Sequence, residues 1–182
     1  HRSDADPDSA PARIAEGWDV VVLQEFSTRP TDAIGPAERF KDDASFFHDL
    51  AIGSRPNARV ILYETWARRE GHSLFPVTFD DPGDMQAQLR FHYFDAADRY
   101  VPAFTDHLEA RVEVAPVGDA WELQLAGGEP PRLHADDDWH AGRNGQYLNG
   151  LVIYATIYQR SVEGLTPRNV SAAAAVTLAS LA

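Results

Sequence analysis

The sequence predicts an α/β fold with a parallel sheet. Three short apolar runs, at 19–26, 58–67 and 111–117, have the pattern of strands, and the continuous, β-branched first run predicts a strand covered on both faces. Segments with a helical spacing of apolar residues separate these runs, and each connection is long enough for a helical crossover. Strands that alternate with helices are typical of a parallel sheet between helical layers. We therefore expect a three-layer α/β/α sandwich.

Helical spacing also marks where helices begin and end. Between the first two strands Phe40, Phe47 and Ala51 recur on one face, and Gly53 with Pro56 predicts the end of that helix. The helix over 145–161 is apolar almost all round, so it is expected to be largely buried. The other predicted helices are 9–17, 85–100, 103–110, 118–128 and an alanine-rich segment, 169–182, capped by Asn169 or Ser171.

The composition is that of an acidic domain without cysteine chemistry. The chain has 182 residues, of which 44% are apolar, and this suits one domain with a substantial core. The 16 basic and 28 acidic side chains give a net charge of −12, which repels phosphate backbones, so no nucleic acid partner is expected. The absence of cysteine excludes disulfides and thiol nucleophiles. No apolar run reaches the ~18 residues of a membrane span, so no membrane partner is expected.

The loop ADDDWHAGRNG carries the clearest chemical signal. Asp137 and His140 are three residues apart, a spacing that lets a carboxylate oxygen accept a hydrogen bond from the imidazole Nδ1 and leaves Nε2 free to face a cleft. Such a pair acts as a general base, because the carboxylate fixes the tautomer and stabilises the imidazolium. Trp139, beside the histidine, is placed to pack against its ring.

Two other interpretations of this loop stay open on spacing alone. An acidic triplet also fits a solvated surface or a helix cap. A metal site is the second alternative, since imidazole and carboxylate ligands suit several divalent ions, but all its ligands would come from one loop. Those ligands would be His134, Asp136, Asp138 and His140.

Ligands of parallel sheets bind outside the carboxyl ends of the strands. This rule selects Gln24 and Ser27, after the first strand, and Glu64, after the second, as candidates for the wall of a cleft. For Glu64 the alternative is an ion pair with Arg68 or Arg69 on a surface turn.

Around the Asp-x-x-His quartet the sequence resembles the SGNH/GDSL hydrolase superfamily. Asp137, His140 and Gly145, followed by the apolar QYLNGLVIYA, are arranged like the last conserved block of that superfamily. WDVVVLQEFSTRP is similar to the third block of a branch in which Gln-Glu-x-Ser follows the strand. NARVILYETWARREGH and VEVAPVGDAWELQL are similar to the same branch, so the resemblance covers about residues 18–160.

This resemblance implies a flavodoxin-like fold and ester hydrolysis by a Ser-His-Asp arrangement without a metal or organic cofactor. His140 would be the base and Asp137 its orienting partner. Gln24 would replace the asparagine that donates to the oxyanion in the superfamily, with the hydroxyl of Ser27 or Thr28 nearby. The superfamily's nucleophile is the serine of a Gly-Asp-Ser or Gly-Asn-Ser motif, which this sequence lacks.

The missing motif sets the expected domain organisation. In the superfamily's strand order, 2-1-3-4-5, the three predicted strands correspond to the third, fourth and fifth. We expect 1–182 to be a single domain that lacks the N-terminal strands and the nucleophile block, and that is therefore inactive alone. Its strand 19–25 would then be an unpaired apolar edge through which the chain self-associates.

The expected function is ester hydrolysis of the acetylesterase type, on a small-molecule or carbohydrate ester, with this chain supplying the histidine and the aspartate. The alternative is a non-catalytic module of the same fold, without a nucleophile, that binds carbohydrate or another partner.

Overall fold

A computed structural model describes residues 6–107, 109 and 111–182. The chain divides into two compact units. Unit 1 consists of His1–Tyr63 and Phe91–Val114, and unit 2 of Glu64–Arg90 and Ala115–Ala182. The single-domain expectation stays a prediction.

The α/β class with a parallel sheet is confirmed. Strands β1 (Val20–Leu23), β2 (Arg59–Tyr63) and β3 (Val112–Ala115) form one sheet in the order β1-β2-β3. In the parallel pair of β1 and β2, Val21 lies opposite Val60. The guanidinium of Arg59 on β2 donates to both carboxylate oxygens of Glu113 on β3, at 2.7 Å each. Each predicted strand is present, although each is shorter than its apolar run.

The strands differ in how completely they are buried. Val60, Ile61 and Leu62 on β2 are fully enclosed on both faces of the sheet. On β1, Val22 is 41% exposed, so the prediction that this strand is covered on both faces is wrong. Val22 belongs to a face of β1 that the described residues leave open, whereas Val21 packs into a cluster with Ile52.

The helices in the first two thirds of the chain follow the predicted order with shifted ends. α1 (Ala10–Ile14) and α2 (Ala37–Ser54) are present, but Gly53 lies inside α2 and does not end it. The helix ends because Arg55 is extended, as residues before a proline usually are. α3 (Pro82–Asp95) continues through a π-helical turn, Ala96–Tyr100, into α4 (Val101–Phe104).

The predicted helix over 103–110 is not formed as expected. α4 ends at Phe104, because Thr105 is extended and its backbone N–H closes the last turn on Val101. Leu108 and Ala110 lie outside the described residues.

Unit 2 contains α5 (Val117–Gly127), α6 (Arg143–Tyr158) and α7 (Ala172–Ala179). Only one side of α6 is buried and Tyr158 is exposed, so the expectation of a largely buried helix is wrong for its C-terminal turn. Ser171, the second of the two predicted caps, accepts a hydrogen bond from the backbone N–H of Ala174 at 3.1 Å. No helix within the described ranges combines the length and apolarity needed to cross a membrane.

Candidate active site

Asp137 organises the loop before α6 by accepting hydrogen bonds at both carboxylate oxygens. Oδ2 lies 2.6 Å from Nδ1 of His140. Oδ1 accepts from the backbone N–H groups of Trp139, at 2.9 Å, and His140, at 2.8 Å. A short aspartate side chain commonly closes a turn in this way, which accounts for the local fold of the DDDWH segment. The predicted contact between the two side chains is therefore present.

The His140 imidazole lies at the surface. Its side chain is 64% exposed, and the ring stacks on the indole of Trp139 with centroids 4.4 Å apart. Because Nδ1 faces Asp137, Nε2 is the ring nitrogen left for a reacting group. The hydrogen bond from the His140 ring, followed by those from the backbone of His140 and Trp139, holds the pKa of Asp137 well below its ordinary value. Asp137 is consequently ionised at neutral pH, as an orienting carboxylate must be.

A series of tryptophans ties this loop to the helices of unit 2. The carbonyl of Trp139 accepts a hydrogen bond from Nε1 of Trp66 at 3.1 Å. The Trp66 ring stacks on Trp121 of α5 with centroids 4.3 Å apart, and Trp121 Nε1 donates to Oδ1 of Asn149 on α6 at 2.7 Å. The position of the histidine loop is thus coupled to the packing of α5 against α6.

Gly145 allows α6 to approach Trp121 closely. A Cβ atom at this position would lie 2.5 Å from the carbonyl oxygen of Leu133 and 2.5 Å from Cζ2 of Trp121, closer than van der Waals contact permits. The glycine that follows His140 in the resemblance therefore has a packing reason in this chain.

The proposed metal ligands do not gather. His134 is buried, with Nε2 3.1 Å from the carbonyl of Ala67, and burial lowers its pKa. Asp138 accepts from Arg69 at 3.3 Å and from Arg132 at 3.0 Å. Within residues 6–107, 109 and 111–182, no three histidine, aspartate or glutamate side chains are grouped so that they could hold a metal ion.

Glu64 is not part of a cleft wall, because its side chain is fully buried inside unit 2. Oε1 accepts from Nε2 of Gln86 at 2.9 Å, and Oε2 accepts from the backbone N–H of Asp119 at 3.1 Å. Burial, assisted by the charge of Asp119, raises the pKa of Glu64 to about 8. The alternative interpretation, an ion pair with Arg68 or Arg69, is also wrong.

Gln24 and Ser27 belong to unit 1, whereas Asp137, Trp139 and His140 belong to unit 2. Gln24 is exposed and Ser27 is half-buried. The neighbouring Glu25 pairs with Arg29 at 3.3 Å. The roles of Gln24 and Ser27 stay predictions.

Arg68 lies beside the histidine loop, although the sequence predicted no role for it in the site. Its guanidinium lies over the Trp139 ring, 4.6 Å from the centroid, and the residue is 4% exposed. The only signal in the sequence is an Arg-Arg pair after the second strand, and spacing does not reveal which arginine turns inward.

Two solved structures are similar to this chain. One is described as "a putative SGNH hydrolase from Slackia heliotrinireducens"; at 23% identity and a TM-score of 0.61, the match covers 84% of this chain and 76% of that one. The other is a DUF4886 family protein from Bacteroides uniformis ATCC 8492; at 13% identity and a TM-score of 0.70, the match covers 94% of this chain and 63% of that one. No family model and no curated protein matches the sequence. At these identities the likeness shows the fold, which is an SGNH-like α/β fold with a parallel sheet.

Proposed function

We propose that this chain provides the base and the orienting carboxylate of a serine ester hydrolase. The observation that carries the proposal is the contact of Asp137 with the His140 ring at 2.6 Å, in a loop whose backbone the same carboxylate fixes. An exposed imidazole held by an ionised carboxylate is suited to take a proton from a hydroxyl group. The likeness in fold to a protein described as "a putative SGNH hydrolase" supports this chemistry over other uses of a histidine.

In the proposed reaction a serine hydroxyl attacks the ester carbonyl while Nε2 of His140 takes its proton. Asp137 stabilises the imidazolium, which then protonates the leaving alcohol. Water repeats the sequence on the acyl-enzyme and releases the carboxylate. The substrate class, an acetyl ester of a carbohydrate or another small polar molecule, follows from the resemblance of the sequence.

The nucleophile is the part that this sequence does not supply in the expected form, since it contains no Gly-Asp-Ser or Gly-Asn-Ser motif. We therefore propose that the 182 residues alone do not hydrolyse esters. The test uses the product of the complete natural gene and the 182-residue chain side by side, with p-nitrophenyl acetate as substrate.

We expect activity in the complete gene product, with a fall in kcat of at least about a hundredfold for His140→Ala, the range in which general base catalysis contributes. His107→Ala is the matched control, because it removes a partly buried histidine of unit 1 and should leave kcat unchanged. Activity that survives in His140→Ala would contradict the proposal.

The second candidate is a non-catalytic module with the same fold, and the missing serine motif favours it. A binding module requires no base, so the complete gene product would be inert toward p-nitrophenyl acetate and toward acetylated sugars. It would nevertheless bind a carbohydrate, and that binding would not depend on His140. Inert protein with such binding would replace the hydrolase proposal.

A further inference from the structure

Arg68 is a buried cation whose charge no hydrogen-bonded anion balances. The residue is 4% exposed, and its guanidinium lies over the Trp139 ring, 4.6 Å from the centroid. The negative charge of Asp137 also attracts the guanidinium. In the part of the chain that the structure describes, Arg68 makes no hydrogen bond and no ion pair. Buried arginines are usually paired, because a guanidinium that loses its water must regain those interactions from acceptors.

The arginines around it have such partners. Arg69 contacts Glu129 at 3.1 Å and Asp138 at 3.3 Å. Arg132 contacts Asp138 at 3.0 Å. Both are more exposed than Arg68, so the most deeply buried cation of this region is the one without an anionic contact.

Asp137 does not provide the missing contact. Its two oxygens are engaged by the His140 ring and by the backbone N–H groups of Trp139 and His140. Burial lowers the pKa of Arg68 to about 10, so its side chain is still positively charged at neutral pH. The guanidinium therefore has unused donors next to a loop that carries the proposed base.

We propose that Arg68 binds a carboxylate group of the substrate, which makes the substrate an ester that also carries a carboxylate. The inference rests on the proposed function, because the ligand is a substrate only if the protein is a hydrolase. Binding of the carboxylate does not depend on turnover. Trp139 connects the two groups, because its indole contacts both the Arg68 guanidinium and the His140 ring.

A carboxylate suits this position better than a phosphate does. A guanidinium donates two parallel N–H groups that match either anion. The net charge of −12, however, opposes a dianion more strongly than a monoanion. A carboxylate also requires one cation, and Arg68 is a single cation.

The test measures binding to the 182-residue chain by calorimetry and by the NMR signal of the Trp139 indole. The probes are monomethyl succinate, which has an ester and a carboxylate, and dimethyl succinate, which has esters only. Acetate tests whether the site binds a product carboxylate, and phosphate tests whether it is a generic anion site. We expect monomethyl succinate to bind at least fivefold more tightly than each of the others and to shift the indole signal.

Arg68→Gln should weaken binding of monomethyl succinate at least tenfold, while Arg69→Gln, the matched control, should leave it within twofold. Arg68→Gln also removes the contact of the guanidinium with the Trp139 ring, so a modest fall in melting temperature is expected, and affinities are compared at a temperature where the variant is folded. A folded Arg68→Gln chain that binds monomethyl succinate as tightly as the parent chain would overturn the inference. Equal binding of dimethyl succinate, or tighter binding of acetate or phosphate, would also overturn it.

The two proposals fail separately. Arg68-dependent binding of monomethyl succinate, with no ester hydrolysis by the complete gene product, would keep this inference and remove the hydrolase. Hydrolysis that depends on His140, without Arg68-dependent binding, would do the reverse.

Discussion

Asp137 contacts His140 at two points: Oδ2 lies 2.6 Å from Nδ1 of the ring, and Oδ1 accepts the backbone N–H at 2.8 Å. One carboxylate thus fixes both the orientation of the imidazole and the turn from which it projects. Substitution by asparagine separates these two effects. The amide oxygen can keep the hydrogen bond to the backbone N–H, but the amide cannot supply the negative charge beside the imidazole.

We predict that Asp137→Asn changes the tautomer of His140 while the loop stays folded. The carboxylate favours the neutral imidazole with its proton on Nδ1, and an amide favours this form less. The ¹⁵N chemical shifts of the imidazole should show a smaller population with the proton on Nδ1. Asp136→Asn is the control, since the Asp136 carboxylate is exposed and its contact is with Arg132 at 3.5 Å. An unchanged tautomer population in Asp137→Asn would contradict the prediction.

Removing the His140 ring should raise the pKa of Asp137 toward its ordinary value of about 3.9. The ring is the first cause of the lowered pKa, and the two backbone N–H groups remain in His140→Ala, so the increase should be incomplete. A carboxyl group with a lowered pKa stabilises the fold above its ordinary pKa and loses that contribution as the pH falls through the lowered value. Titration of the Asp137 carboxyl ¹³C signal measures the change. A value that stays as low as in the parent chain would show that the ring is not its cause.

Glu64 should make unit 2 less stable as the pH rises. Burial raises its pKa in the folded chain to about 8, while the unfolded chain titrates near the ordinary value of about 4.3. Between these pH values the folded state holds a proton that the unfolded state has released, so the free energy of unfolding falls with increasing pH. Glu64→Gln, which keeps the shape without the charge, should abolish this fall and stabilise the chain at pH 8 by an amount on the order of a few kcal/mol.

The measurement is urea denaturation at pH 5 and pH 8. Glu70→Gln is the matched control, because it makes the same substitution at an exposed position. If the difference in stability between the two pH values were the same in Glu64→Gln as in the parent chain, the buried carboxyl group would not be its source.

Local patterns predicted most of the elements because their signals lie in neighbouring residues. β2 reads as a strand because Val60, Ile61 and Leu62 are apolar without interruption and both faces are buried. The contact between Asp137 and His140 was predictable for the same reason, since a turn over three residues brings the two side chains together.

The errors arose where distant residues decide the outcome. Glu64 follows a strand, as a cleft residue would, but its burial depends on Gln86 and on the backbone of Asp119. Whether Arg68 or Arg69 is paired depends on acceptors about 60 residues further along the chain. The spacing of charged residues along the sequence contains no information about such contacts.

Strand β1 lies at one edge of the described sheet and should promote self-association. Val22 is 41% exposed on a strand that occupies one end of the described sheet, and such edges pair with other chains unless a charge prevents it. Val22→Lys should therefore lower the sedimentation coefficient at high protein concentration. Val77→Lys adds the same charge at an exposed site outside the sheet and should have no effect. A parent chain that sediments as a monomer at all concentrations would contradict this prediction.

Gly145→Ala should destabilise unit 2, whereas Gly150→Ala on the same helix should not. A Cβ at position 145 would lie 2.5 Å from both the Leu133 carbonyl oxygen and the Trp121 ring, so either α6 or the tryptophan must move, at a cost of about 1–3 kcal/mol. A Cβ at position 150 would meet no heavy atom of the described residues within 4 Å beyond its chain neighbours and its own helix backbone, and replacing glycine with alanine inside a helix adds up to about 1 kcal/mol of stability. Both variants have the same chemistry, so opposite shifts of the melting temperature would isolate the close approach to Trp121.

Gly145→Ala should also disturb the NMR signal of the His140 ring. Trp121 stacks on Trp66, and Trp66 donates a hydrogen bond to the carbonyl of Trp139, next to the histidine. An unchanged His140 signal in a destabilised Gly145→Ala chain would show that the histidine loop is positioned independently of α6.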